Sequence, residues 1–163
     1  MFKLISCSMI FVAGFLISEE YSKKYKDENK FTKGLISIFE YMSDEIFFEH
    51  NFLGETLKNS ASYGGRAKEY IDKIAEKIIN KTSAKEAFLN TEAQVQGRVY
   101  DILCEYFSQA GMFDTKTEKE KLGGIIAKLK SAEKEQEEHI ENTVAQNKKI
   151  IIAFTIFICI FLV

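Results

Sequence analysis

The chain has 163 residues, 24 acidic against 22 basic side chains and no proline. This near-balance offers no face-wide basic excess to displace counterions from nucleic acid. The missing proline favours long uninterrupted helices over sheet architectures, which lean on proline and glycine turns. Its three cysteines, Cys7, Cys104 and Cys159, have no metal-site or disulfide spacing, as suits a reducing compartment.

Leu4 to Ile17 is uncharged after a single Lys3. A signal peptide would carry a small-x-small cleavage site near Ser18, where the chain reads Leu16-Ile17-Ser18-Glu19-Glu20, so an uncleaved membrane anchor over 1–18 is expected. Phe31, Leu35, Ile38, Phe39, Met42 and Ile46 recur at spacings of four and three, the signature of a helix from about Lys30 to His50. Asn51 is placed to cap a short following turn, and Ser60 to Arg66, with Gly64-Gly65, reads as a loop. Ile71, Ile74, Ala75, Ile78 and Ile79 give a second amphipathic helix. Ser83 and Glu86 have capping-box spacing and open a third, carrying Phe88, Val95, Val99, Ile102, Leu103, Tyr106 and Phe107 to an Ala110-Gly111 stop. Thr115 and Glu118 repeat the spacing and open a fourth with Leu122, Ile125, Ile126 and Leu129. Gly123-Gly124, costing about 2 kcal/mol inside a helix, implies close approach of a neighbouring helix, or a later start for the fourth.

Beyond Ala132 the apolar stripe fades through Glu133 to Val144, yet no breaker precedes the terminal run. One continuous helix from Thr117 is expected: part packed, part solvated stalk, part membrane anchor. Of the last fourteen residues, eleven are Ile, Phe, Leu or Val, worth at most roughly −3 to −7 kcal/mol on the insertion scale. Fourteen residues span only about 21 Å, but the run is apolar all round, and Lys148 and Lys149 can extend to the headgroups. Lys23, Lys24 and Lys26 after the first anchor, with Lys148 and Lys149 before the second, place residues 19–149 in the cytoplasm by the positive-inside rule. Tyr21 and Tyr25 suit an interfacial belt. The expected fold is an all-α, small antiparallel helical bundle over 19–149, with membrane helices over 1–18 and 150–163.

Catalytic chemistry is thin. His50 and His139 lack the Glu-x-x-His spacing of a helical di-iron site, the residues three before them being Phe47 and Gln136. Cys104 has no nearby histidine to activate it and reads as a buried inert thiol. Gly64-Gly65-Arg66 lacks the spacing and lysine of a phosphate loop. No cofactor, metal or small-molecule substrate is expected. Charged helix faces remain, as docking surfaces or simply solvated exterior: Glu40, Asp44, Glu45 and Glu49 on the first soluble helix, Asp114 at the turn, and Glu137 and Glu138 on the stalk.

The order of these features resembles the stage III sporulation protein AB family. The matching stretches are Leu35-Ile36-Ser37-Ile38-Phe39-Glu40, Asp44-Glu45-Ile46-Phe47-Phe48, Tyr106 to Asp114, and the charged helix through Asn147-Lys148-Lys149 into the terminal run. The chain departs from the family's Thr-Pro-Leu at Asn51-Phe52-Leu53, and from a Leu-Gly pair at Ile150-Ile151. The resemblance implies a bundle like the cytoplasmic domain of type II secretion and type IV pilus platform proteins. It also implies a non-enzymatic place in the mother-cell-to-forespore channel complex, in the mother-cell membrane, with a secretion-type ATPase and other channel subunits as partners. A membrane-tethered adaptor or sensor outside any secretion complex is the alternative.

Overall fold

The computed structural model describes residues 2–48, 52–112 and 115–162, with side chains over 9–45, 52–112 and 116–161. Among these the chain is all helix and turn, with no strand. The elements are α1 (Phe2–Phe48), α2 (Leu53–Ala61), α3 (Lys68–Ile79), α4 (Ala84–Leu89), α5 (Gly97–Phe107), α6 (Thr115–His139) and α7 (Ala145–Leu162). A 3₁₀ turn, Gly65–Ala67, precedes α3, and a π-helical turn, Ile140–Val144, joins α6 to α7. The chain forms two compact units, Lys30–Lys134 and the combination of Met1–Asn29 with Glu135–Val163.

The first unit, Lys30–Lys134, is a helical bundle. Phe31, Leu35, Ile38, Phe39 and Met42 of α1 are buried together with Leu57 of α2, Tyr70, Ile71 and Ile74 of α3, Leu103 and Phe107 of α5, and Leu122 and Leu129 of α6. Burying each such side chain contributes about 1.5–3 kcal/mol. Lys33–Glu133 at 3.3 Å and Glu40–Lys130 at 2.7 Å run antiparallel along α1 and α6. Gly34 has a specific task, because a Cβ there would collide with the Gly64 carbonyl and a Cβ on Gly64 would collide with Ile38. The Ser62–Gly64 turn thus lies directly on α1.

Several expectations are corrected. The anchor and the first soluble helix are one 47-residue α1. The third helix is two: Ser83 caps α4 as its spacing predicts, accepting from Glu86 N–H at 3.3 Å while its hydroxyl donates to the Glu86 carboxylate at 2.9 Å, but the chain leaves the helix at Asn90. Lys77 fixes the break by donating to Asn90 O at 2.6 Å and Thr91 Oγ1 at 2.9 Å, and Gly97 at φ +61° begins α5. Helix α2 is a full helix extending to Ala61; its N-cap is Phe52, without a side-chain cap bond, and Asn51 lies outside the described residues. Gly111 takes the left-handed conformation, φ +78°. Helix α6 starts at Thr115, and a Cβ on Gly123 or Gly124 would meet nothing within 4 Å. Among the described residues, neither explanation for the glycine pair therefore holds. The terminal helix is continuous, with the π-turn as an unforeseen irregularity.

The second unit is an antiparallel helix pair. As α1 advances from Gly14 to Glu19, Tyr21 and Tyr25, its contacts step back through Thr155, Lys148, Asn147 and His139. Gly14, Ser18 and Ser22 form a small-residue stripe at spacing four, buried against the partner helix, and a Cβ on Gly14 would overlap Thr155. Thr155 Oγ1 turns back to donate to Ile151 O at 2.8 Å. Small residues let helix backbones approach closely where lipid supplies no hydrophobic drive. Phe11, Val12, Phe15, Leu16 and Ile17 of α1, with Phe154, Phe157, Ile160 and Phe161 of α7, point outward.

Candidate docking surfaces and apolar helices

Glu40, Asp44 and Glu45 lie on α1 within the bundle. Glu40 is engaged by Lys130, Asp44 is exposed, and Glu45 is half-buried, with Oε1 accepting from Asn59 Nδ2 at 3.1 Å and Oε2 buried without a hydrogen bond. Glu137 and Glu138 are exposed on α6 but belong to the other unit. The five carboxylates are thus split between two compact units. Glu49, Asp114 and His50 lie outside the described residues.

The predicted membrane-flanking residues gather in the helix pair. Lys23, Lys24 and Lys149 are exposed. Lys148 is ion-paired with Glu19, and that hydrogen bond holds the Glu19 carboxyl below its usual range. Asn147 Nδ2 donates to the Tyr21 hydroxyl at 3.1 Å. Tyr21 and Tyr25 meet edge to face at 5.2 Å, and the Tyr25 ring lies 5.3 Å from His139. Hydrogen bonding to Tyr21 pushes the Tyr25 hydroxyl up. This polar and aromatic collar lies where the outward apolar side chains end. The neighbouring π-turn is of a kind found often at functional positions in helices.

One helical run, Lys116–Phe161, contains an 18-residue stretch of mean hydropathy 1.7, long and apolar enough to cross a membrane. Only 11% of that stretch is buried, which separates it from the core helix of a globular domain.

Sequence reading missed the centre of the α5–α6 contact. Glu118 Oε1 accepts the N–H of Gly111 at 3.2 Å and so ties the left-handed turn to α6. Burial pushes the Glu118 carboxyl up, offset in part by the Gly111 bond and Lys121. Burial, with the Glu118 charge, likewise raises the Tyr106 phenol, whose hydroxyl faces Met42 Sδ at 3.8 Å. Cys104 is half-buried against the core. Among the described residues no group of three or more His, Cys, Asp or Glu is placed to hold a metal ion.

Fold and surfaces together define an all-helical protein in which a water-facing bundle shares its first and last long helices with an apolar helix pair. A model of stage III sporulation protein AB matches residues 3–163, which is nearly the whole chain. The chain belongs to the stage III sporulation protein AB family. No curated protein matches it, and no solved structure does.

Proposed function

We propose that this protein is a non-enzymatic membrane platform component of the sporulation channel complex, held in the mother-cell membrane by its helix pair, with the bundle in the cytoplasm docking a secretion-type ATPase. The observation that carries the membrane part is the inverted surface of the helix pair, with Ser18, Ser22 and Thr155 inside and Phe15, Phe154 and Phe157 outside. Side chains sorted this way suit lipid and not water. Antiparallel packing puts Phe2 and Leu162 at the same end of the pair, and Lys23, Lys24 and Lys149 at the other favour a cytoplasmic bundle. Family membership supports the sporulation context; the ATPase partner is carried over from the likeness to secretion platforms, where fold alone does not fix function.

For docking, Asp44, Glu137 and Glu138 are exposed acidic candidates; Glu40 pairs with Lys130 and Glu45 with Asn59. Asp44→Lys combined with Glu137→Lys and Glu138→Lys is expected to abolish co-purification of the ATPase while helical content and melting stay unchanged. Undiminished co-purification would contradict acidic docking.

A further inference from the structure

The α5–α6 face carries a cleft of about 200 Å³, lined by Glu105, Gln109, Glu118, Lys121, Gly124 and Lys128. Its two cations are engaged. Lys121 Nζ donates to Gln109 Oε1 at 2.6 Å, and Lys128 Nζ reaches both Glu105 oxygens, at 2.5 and 2.6 Å. Glu118 is not fully served: the residue is only 7% exposed, its Oε1 is taken by Gly111, and its Oε2 is buried with no hydrogen-bond partner. An unfilled acceptor on a buried carboxylate is costly, and a charge-assisted donor relieves it best. A second, independent feature adjoins it. Gly123 and Gly124 are exposed inside α6, with open space where each Cβ would be. This keeps the helix backbone approachable at about 2 kcal/mol of helix propensity, and among the described residues nothing uses that approach.

We propose that this cleft receives a guanidinium group presented by an arginine of a partner protein, with Glu118 Oε2 as its acceptor and the Gly123-Gly124 backbone as the surface on which the partner's chain rests. The occupant follows from the chemistry of the lining. Its two ammonium groups are already taken by Gln109 and Glu105, and the acceptor left over, Glu118 Oε2, is on a carboxylate and shielded from water. A planar guanidinium brings several N–H donors in one plane and is more weakly hydrated than an ammonium, so it enters such a place more readily than lysine. The bare glycine pair lets the backbone bearing it come within reach. The carrier being a protein rests on the docking reading above; the affinity of the cleft for a guanidinium does not.

The test uses the full-length chain in lipid nanodiscs, titrated with N-acetyl-arginine-N-methylamide while the Glu118 side-chain carboxyl carbon and the Gly111 and Gly124 amides are followed by NMR. A saturable shift of the Glu118 carboxyl and the Gly124 amide is expected at roughly millimolar probe, as for a single contact. The citrulline analogue, which keeps the shape and loses the charge, should bind about tenfold or more weakly. Glu118→Gln should abolish the response while the Gly111 amide stays protected, because the glutamine oxygen still accepts its bond. Equal binding of the citrulline analogue, an undiminished response in Glu118→Gln, or a carboxyl carbon that never moves because water alone fills the cleft would each overturn the proposal. Since no ATPase is present, those results leave acidic docking standing; undiminished ATPase co-purification in the Asp44, Glu137 and Glu138 charge-reversal variant, with probe binding intact, would reject that reading alone.

Discussion

In the bundle, Phe39, Leu35, Ile74 and Leu103 are buried while Lys33, Glu40 and Lys130 face water; in the helix pair the order is reversed, with serines, a glycine and a threonine at the contact and phenylalanines outside. The same two long helices, α1 and α6, take part in both units. The change lies in which side chains their contact faces carry, at about Asn29 on one and Glu135 on the other. On the membrane reading proposed above, one chain meets two solvents without a linker. Large apolar groups hold the bundle because water drives them together, whereas in lipid close backbone approach is what remains to hold two helices.

That contrast breaks most visibly in the core. Phe39→Ala should destabilise the bundle by roughly 3–5 kcal/mol, from lost burial and the cavity left behind, whereas Phe157→Ala in α7 should cost only about 0.3–0.6 kcal/mol of insertion free energy. Thermal melts in nanodiscs report the first and membrane partitioning the second; equal losses of melting temperature would erase the distinction. Gly34→Ala comes next. Its methyl would meet the Gly64 carbonyl, so the turn must lift off α1 at a cost of about 1–3 kcal/mol, seen as faster amide exchange over Ser62 to Ala67.

For the helix pair the sharper tool is cross-linking. With the natural cysteines replaced, Gly14→Cys with Thr155→Cys should form a disulfide in membranes, since those positions are in contact, whereas Leu16→Cys with Phe157→Cys should not. Smaller again is a pH effect in the bundle. The Glu118 carboxyl is raised above its unfolded value, so its contribution is present in full below the ordinary carboxylate range and is lost as pH rises through the folded pKa. Acidification from neutral pH should therefore strengthen that site, and Glu118→Gln should flatten the pH dependence of chemical denaturation. A small gain is expected for Tyr70→Phe. Burial pushes this hydroxyl up to about 12, and it has no hydrogen-bond partner, so its removal should raise stability by about 0.5–1 kcal/mol.

Periodicity made the bundle legible: the α1 stripe through Met42, the α3 stripe through Ile74 and the Ser83 cap all stand where their spacing put them. What escaped was tertiary. The α4–α5 break depends on Lys77 reaching Asn90 and Thr91 from thirteen and fourteen residues away, and no local pattern announces it. Glu118 also accepts the Gly111 N–H of the adjoining turn, a contact that its capping-box spacing does not announce. Of the acidic candidates, Glu40 looked like open surface only because Lys130 is ninety positions distant along the chain. The Gly14-Ser18-Ser22 stripe has a spacing of four, but it starts inside the apolar run Leu4–Ile17 and continues past its end, so hydropathy does not mark it.

The most direct test of the two-solvent account is nitroxide scanning of the full-length chain in nanodiscs, comparing collisions with oxygen and with a water-soluble nickel chelate at Phe154, Phe157, Ile160, Tyr63 and Lys85. The account predicts high oxygen and negligible nickel accessibility at the three α7 positions, with nickel collisions frequent at Tyr63 and Lys85. Free access of the nickel reagent to Phe157 would contradict it.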